Sequence, residues 1–272
     1  MNAIPRDRQE AAGVPGCGAA ADNRCALCGG REACLPSLFH SDDNAAFERM
    51  VAGKRRIERH ASLFRANDKF DTFYIVRVGQ FKEFVLDPAS VQRVVRFYMP
   101  GDIVGFDGVA TGVHSSRVMA LEDSEVCEVP YAQVRKAMHD HPRFLDRFLA
   151  AMSATLLDQH QHTRLLTLPS LDGRFACFLL YLSANYARMG YSDTAFRLAM
   201  SRSDIGSYLG TTVETVSRLI ARFNAQHAVR IERRMVQILD RAKLIAMIDN
   251  TAADRCPVPA PTEDRQPEMP VH

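Results

Sequence analysis

This sequence predicts an α+β protein with an N-terminal antiparallel β-roll, one long helix and a C-terminal winged helix-turn-helix, and three observations carry the prediction. Short β-branched and aromatic runs separated by turn residues fill the stretch from about 60 to 130. A narrow apolar stripe at helical spacing follows, from about 142 to 166. Residues 202–224 then read as two short helices joined at a glycine.

The 272 residues suffice for two domains that each bury a core, and hydrophobic and charged fractions of 47% and 24% are those of a globular chain. A net charge of +2 is too near neutral to identify a partner, so charge has to be read locally. No run of about 18 apolar residues occurs, and no cationic start precedes an apolar stretch, which predicts a cytoplasmic protein without a membrane partner. Seven cysteines in that compartment are expected to be reduced, and their odd number argues against a complete disulfide framework.

Along the chain, residues 1–24 show no sustained periodicity, and the tail carries Pro257, Pro259, Pro261, Pro267 and Pro270, which oppose helix. The predicted organisation is a cysteine-rich segment over 1–45, the roll over 46–141, a dimerisation helix over 142–168, a DNA-binding domain over 169–250 and a disordered tail over 251–272. Strand-like runs are Phe73–Val78, Phe81–Leu86 and Val91–Tyr98, parted by Gly79, Asp87-Pro88 and Pro100-Gly101-Asp102. In the long helix Leu145, Leu149, Met152 and Leu156 recur at steps of four, three and four. So narrow a stripe suits a second copy of the same helix, the alternative being packing against the chain's own roll. Past Pro169 a second helix runs from Gly173 to about Arg188, with Phe175, Phe178, Leu179 and Leu182 on one side and Gly190 as its stop, so a fresh core is expected to begin at 168–172.

In the 202–224 stretch Ile205, Tyr208 and Leu209 face inward from the first helix, and Gly210 allows the turn. Thr212 is a candidate N-cap, with Val213, Val216, Leu219, Ile220 and Phe223 on the inner side of the next helix. Its opposite face carries Glu214, Ser217, Arg218 and Arg222, and its N-terminal residues suit a DNA major groove: Arg pairs bidentately with guanine, Glu accepts from cytosine N4, and Ser is permissive. Between 201 and 234 six arginines stand against three acids, a local excess suited to phosphates. Val229–Ile231 and Val236–Leu239 would form the wing. The plainer alternative is a helical hairpin with a solvated face.

Cys25, Cys28 and Cys34 form C-x2-C-x5-C, with Cys17 before them and Pro36 after. Such spacing lets one loop offer several thiolates to a single metal centre, and zinc and iron–sulfur chemistry both fit it. A fourth ligand would come from Cys17 or from Cys127 in the strand 125–129; Cys177 reads as core, and Cys256 lies in the tail. The pairs His139/His141 and His160/His162 stand at i, i+2, which parts their rings on a helix, so they read as surface residues. No nucleophile, base and orienting group stand at meaningful spacing, and no glycine-rich phosphate loop is present, so an enzyme is not expected.

The segments CALCGGREACLP, PGDIVGFDGVATG, VCEVP and SDIGSYLGTTVETVSRL, in this order between about 25 and 248, resemble the Fnr/Anr oxygen-responsive branch of the Crp/Fnr regulators. The resemblance implies a cyclic-nucleotide-binding-like roll and a [4Fe-4S] cluster on Cys25, Cys28, Cys34 and Cys127, with Cys17 spare. In this family the cluster is stable without oxygen and converted to smaller clusters by it, with loss of the dimer. By similarity Thr212, Val213, Glu214, Ser217 and Arg218 would meet double-stranded DNA at each half of a TTGAT-N4-ATCAA-like palindrome, Leu145, Leu149, Met152 and Leu156 would form the homodimer, and RNA polymerase would be recruited. The family also tunes dimer repulsion with an acid in the long helix, and Asp158 lies one position from that place. Crp itself binds cyclic AMP with a Glu and an Arg-Ser pair; here Ser115-Ser116 stands at that pair and Arg117 follows it, so no cyclic nucleotide is expected.

Overall fold

The computed structural model describes residues 49–248, so Cys17, Cys25, Cys28, Cys34, Cys256, the lead-in and the proline-rich tail lie outside the described residues. The roll is two four-stranded antiparallel sheets. One runs β1 (Gly53–Ile57), β8 (Ser124–Pro130), β3 (Thr72–Val78), β6 (Ile103–Val104); the other runs β2 (Ser62–Phe64), β7 (Arg117–Ala120), β4 (Phe81–Leu86), β5 (Gln92–Tyr98). Alternation in these strands sends Phe64, Val76, Phe81, Val104, Val118 and Val126 between the sheets, where all are buried. The turn from β3 to β4 depends on Gly79 at φ 83, because a Cβ there would stand 2.1 Å from Ser124 Oγ.

Helix α1 (Tyr131–Asp140) leads into α2 (Pro142–Leu166), whose first residue is a proline with its missing N–H at a harmless position. At 25 residues α2 is about 38 Å long. It has two apolar faces. Phe144, Phe148 and Leu165 are buried, with Phe148 set 5.5 Å, ring to ring, from both Phe73 and Phe106. Leu149, Met152 and Leu156 are 51%, 36% and 52% exposed, and Leu145 is half-buried.

The C-terminal unit holds α3 (Leu171–Arg188), β9 (Ala195–Arg197), α4 (Arg202–Leu209), α5 (Val213–Ala225), β10 (Val229–Glu232), β11 (Met235–Ile238) and α6 (Arg241–Ala246), with the three strands ordered β10-β11-β9. Ser170 caps α3 by accepting from the Gly173 N–H, so this helix starts two residues ahead of its expected Gly173.

The expectation of a fresh core beyond 168–172 does not hold. Phe84, Val94 and Phe97, on the outward face of the second sheet, belong to one buried cluster with Phe178, Leu179, Tyr208 and Phe223. The Phe97 ring centre lies 5.1 Å from that of Tyr208 and 6.2 Å from that of Phe178, both pairs tilted. Large apolar residues on both faces of that sheet bind the helical unit to the roll, which a reading of each segment alone does not reveal. Cys177 is fully buried in α3, as expected of a core residue. No helix of the described residues is long and apolar enough to cross a membrane.

Candidate DNA-reading site and its surroundings

Helix α4 begins with a reciprocal capping box: the Ser201 hydroxyl accepts from the Asp204 N–H, and the Asp204 carboxylate accepts from the Ser201 N–H. It ends at Gly210, whose φ of 69 is the left-handed conformation a helix C-terminus favours. Gly206 lets the turn close, since a Cβ there would meet Thr211 O at 3.0 Å. Thr212 then caps α5 by accepting from the Thr215 N–H at 3.3 Å. Val216, Leu219, Ile220 and Phe223 face inward and are buried. Val213, which the periodicity also places inward, is 40% exposed at the helix start and stands beside the polar face.

That face presents Glu214 and Arg218 to solvent, with Ser217 half-buried between them. The Glu214 carboxyl is held below the usual carboxylate range by its own backbone N–H and by the Thr212 hydroxyl, so at neutral pH it is an ionised acceptor. Arg202 of α4 donates to Ser217 Oγ at 3.2 Å, bringing a second cation beside the reading face. Arg222 is turned away: it pairs with Asp172 at the start of α3 and so does not join Glu214, Ser217 and Arg218. Asn224 fixes the wing to α5 by accepting from the Ile231 N–H (2.8 Å) and donating to Ile231 O (3.1 Å). Arg230 and Arg233 are exposed on the wing, whereas Arg234 donates to Ala199 O at 3.1 Å.

Of the four candidate cluster ligands only Cys127 falls among the described residues. It is half-buried on β8, in register with Lys54 of β1 and Ile75 of β3, and packs at the edge of the cluster that includes Met50, Phe73 and Ile75. Met50, at the start of the described residues, belongs to this same cluster. Among the described residues alone, no group of three His, Cys, Asp or Glu side chains can hold a metal.

In the roll, Asp107 accepts from the Ser115 N–H at 2.8 Å and from the Ser115 and Ser116 hydroxyls at 3.3 Å, and lies 3.1 Å from His114 Nδ1. Burial acts to raise its pKa, but His114 and the serine donors hold it below the usual range. Arg117 points elsewhere, donating to Ser62 Oγ at 2.8 Å. His162 is not a surface residue: its ring stacks 4.0 Å from that of Tyr208, and Nε2 lies 2.8 Å from Tyr208 O. Sequence periodicity misses it because the covering residue comes from α4, 46 positions on.

A double-sheet roll joined through a long helix to a capped helix-turn-helix with a three-stranded wing defines a DNA-binding transcription regulator. Residues 54–141 match the cyclic nucleotide-binding domain and residues 173–247 the Crp-like helix-turn-helix domain. The chain is 36% identical to the transcriptional regulatory protein btr of Bordetella pertussis over 82% of its own length and 93% of that protein's. It is 31% identical to the fumarate and nitrate reduction regulatory protein of Vibrio cholerae over 82% of this chain and 89% of the relative. The solved structure of FixK2 from Bradyrhizobium japonicum superposes with a TM-score of 0.66 at 25% identity, covering 72% of this chain and 97% of that one. The chain belongs to the Crp/Fnr family of transcription regulators.

Proposed function

We propose that this chain is a cytoplasmic oxygen- or redox-responsive transcription regulator that binds a TTGAT-N4-ATCAA-like palindrome as a homodimer and recruits RNA polymerase there. The observation that carries this reading is one fold bearing both an exposed Glu214–Ser217–Arg218 face and an exposed apolar stripe on α2. A two-fold pair of α2 helices would hold two reading helices at a fixed separation, and fixed separation is what a palindrome requires. In this reading the roll over 46–141 is the sensor domain, 142–168 the dimerisation helix and 169–250 the DNA-binding domain.

Cys25, Cys28, Cys34 and Cys127 would hold a [4Fe-4S] cluster, which when bound supplies an oxygen-labile centre. The cysteine spacing, the packing of Cys127 against the cluster that contains Met50, and a relative named for fumarate and nitrate reduction support this assignment. With such a cluster in place Cys127 would tie the N-terminal cysteines to β8, and β8 is continuous with α1, which leads directly into α2. Tension or release at β8 thus has a short covalent route to the proposed dimer helix. A cyclic nucleotide is not expected to act here, because Asp107 engages the Ser115 and Ser116 donors and Arg117 is turned to Ser62.

Anaerobic purification, iron and acid-labile sulfide analysis, and absorption spectra before and after admitting air test the proposal. The expected result is about four iron and four sulfide per subunit with a visible band that changes in air. One zinc, no sulfide and an unchanged spectrum would indicate a zinc-stabilised regulator answering another signal and would end the oxygen-sensing reading, leaving DNA binding intact.

A further inference from the structure

We propose that Lys82 is a positioning residue for DNA reading: from the roll it grips Asp204 at the start of α4 and thereby fixes the angle at which α5 is presented. The inference rests on the reading of α5 as the DNA-contacting helix of a homodimer.

Strand β5 lies at the edge of its sheet, where backbone groups need partners from elsewhere. Helix α4 supplies them. The Val94 N–H donates to Ser207 Oγ at 2.9 Å, and the same hydroxyl donates to Gln92 O at 3.0 Å, so one serine continues the sheet edge into the helix-turn-helix. One turn earlier on α4, Lys82 Nζ of β4 donates to Asp204 Oδ1 at 2.6 Å and to Gln92 Oε1 at 3.1 Å, and sits 5.3 Å from the Phe84 ring centre. The Lys82 and Asp204 side chains are only 11% and 12% exposed.

Asp204 serves two elements at once. Oδ1 takes the Lys82 ammonium, while Oδ2 accepts from the Ser201 N–H (3.0 Å) and hydroxyl (2.6 Å) to close the capping box. Burial alone would raise the Asp204 pKa, yet Lys82 and Ser201 together hold it below the usual carboxylate range. The carboxylate that caps the first helix of the helix-turn-helix is therefore the one the roll holds.

The grip reaches α5 through rigid geometry. The turn between α4 and α5 packs tightly at Gly206, where a Cβ would stand 3.0 Å from Thr211 O, and Arg174 braces its far side by donating to Leu209 O (3.2 Å) and Leu168 O (2.9 Å). Tyr208 is wedged between Phe97 of the roll and Phe178 of α3. Turning α5 relative to the roll thus requires lifting α4 off β5. A buried ion pair of this sort contributes more to a defined arrangement than to net stability, since desolvation offsets much of its attraction.

In a dimer on a palindrome, the half-site spacing that binds best reports the angle and separation of the reading helices. The test measures affinity of the full chain, prepared anaerobically, for palindromes at the best spacing and at one and two base pairs more and fewer. Lys82→Met, Lys82→Arg, Ser207→Ala and the unaltered chain are compared. Lys82→Met is expected to lose about tenfold at the best spacing, the size of effect that coupling residues produce, and to lose much less at the others, so that spacing selectivity flattens. Ser207→Ala should flatten it in the same direction without altering any charge, and Lys82→Arg should restore it. A uniform loss at every spacing, or no change in Lys82→Met and Ser207→Ala, would overturn the positioning role. Failure of the unaltered chain to prefer any palindrome would instead remove the DNA-reading assignment on which it rests.

Discussion

Arg96 Nη2 stands 3.0 Å from Asp158 Oδ2, joining β5 of the roll to α2 on the side away from the exposed leucines. Arg96 is 8% exposed at its side chain, its guanidinium lies 4.7 Å from the Tyr98 ring centre, and its Nε and Nη1 have no hydrogen-bond partner among the described residues. Burial raises the Asp158 carboxyl above the usual range, with Arg96 opposing. The acid that resemblance places near the dimer contact therefore serves the chain's own roll. Its proximity in sequence to the stripe misleads, because one step along a helix turns a side chain by about a quarter of a circle.

Removing that carboxylate leaves a buried cation with one partner fewer. Asp158→Ala is expected to lower unfolding stability by about 2 kcal/mol, below the full penalty of a broken buried pair because Asp158 is partly solvated. Asp158→Asn retains an acceptor and should lose less. Urea unfolding of the three proteins checks the order, and equal stabilities would show that Arg96 finds its partner elsewhere.

The exposed stripe makes a different prediction. With Leu149 and Leu156 about half exposed and Met152 at 36%, α2 leaves an apolar ridge on the surface, larger than scattered exposed side chains require. Leu156→Glu would set two carboxylates against each other across a two-fold seam. Dimer affinity should fall by on the order of 100-fold, read by analytical ultracentrifugation under anaerobic conditions, and operator binding should fall with it even without oxygen. A Leu156→Glu protein that still sediments as a dimer would place the seam elsewhere.

His162 ties stability to pH. To donate to Tyr208 O the ring must carry a proton on Nε2; burial lowers its pKa below the usual histidine value, while the carbonyl opposes that shift. A depressed histidine pKa means that the folded state binds the proton less readily than the unfolded one. The stability is therefore present above the free value of about 6.5 and lost as pH falls toward the lower folded value. Thermal midpoints should decline between pH 7.5 and 5.5 more steeply for the natural chain than for His162→Asn; parallel profiles would exclude His162 as the titrating group.

What the sequence made legible follows from how far each signal reaches. The runs at Phe73–Val78 and Phe81–Leu86, the capped pair of helices around Gly210 and the wing strands rest on neighbours a few positions apart, and each forms where its pattern indicates. Lys82 and Arg96 look like surface charges on alternating strands, yet both are buried where α4 and α2 meet that sheet from 60 or more positions away. His162 and the continuity of the roll with the helical core escape for the same reason. At the site, the residue types of the α5 face were readable, whereas the turning of Arg222 toward Asp172 depends on α3, 50 positions upstream.

The arrangement of cations around α5 separates two kinds of DNA contact. Arg218 stands exposed one turn into the reading helix beside ionised Glu214, where a guanidinium can meet a base edge. Arg230 sits on the wing, beyond the reading face, where it can meet only backbone phosphate if α5 enters the major groove. Arg218→Ala should therefore remove about 1–3 kcal/mol of discrimination at one base pair of each half-site. Arg230→Ala should weaken all sequences alike and reduce the slope of log affinity against log salt by about 1 per subunit. Binding titrations over a set of single-base operator variants at three salt concentrations resolve the two behaviours. If Arg218→Ala lowered every affinity by one common factor, α5 would be lying along the phosphates, and base reading would have to be assigned to other side chains.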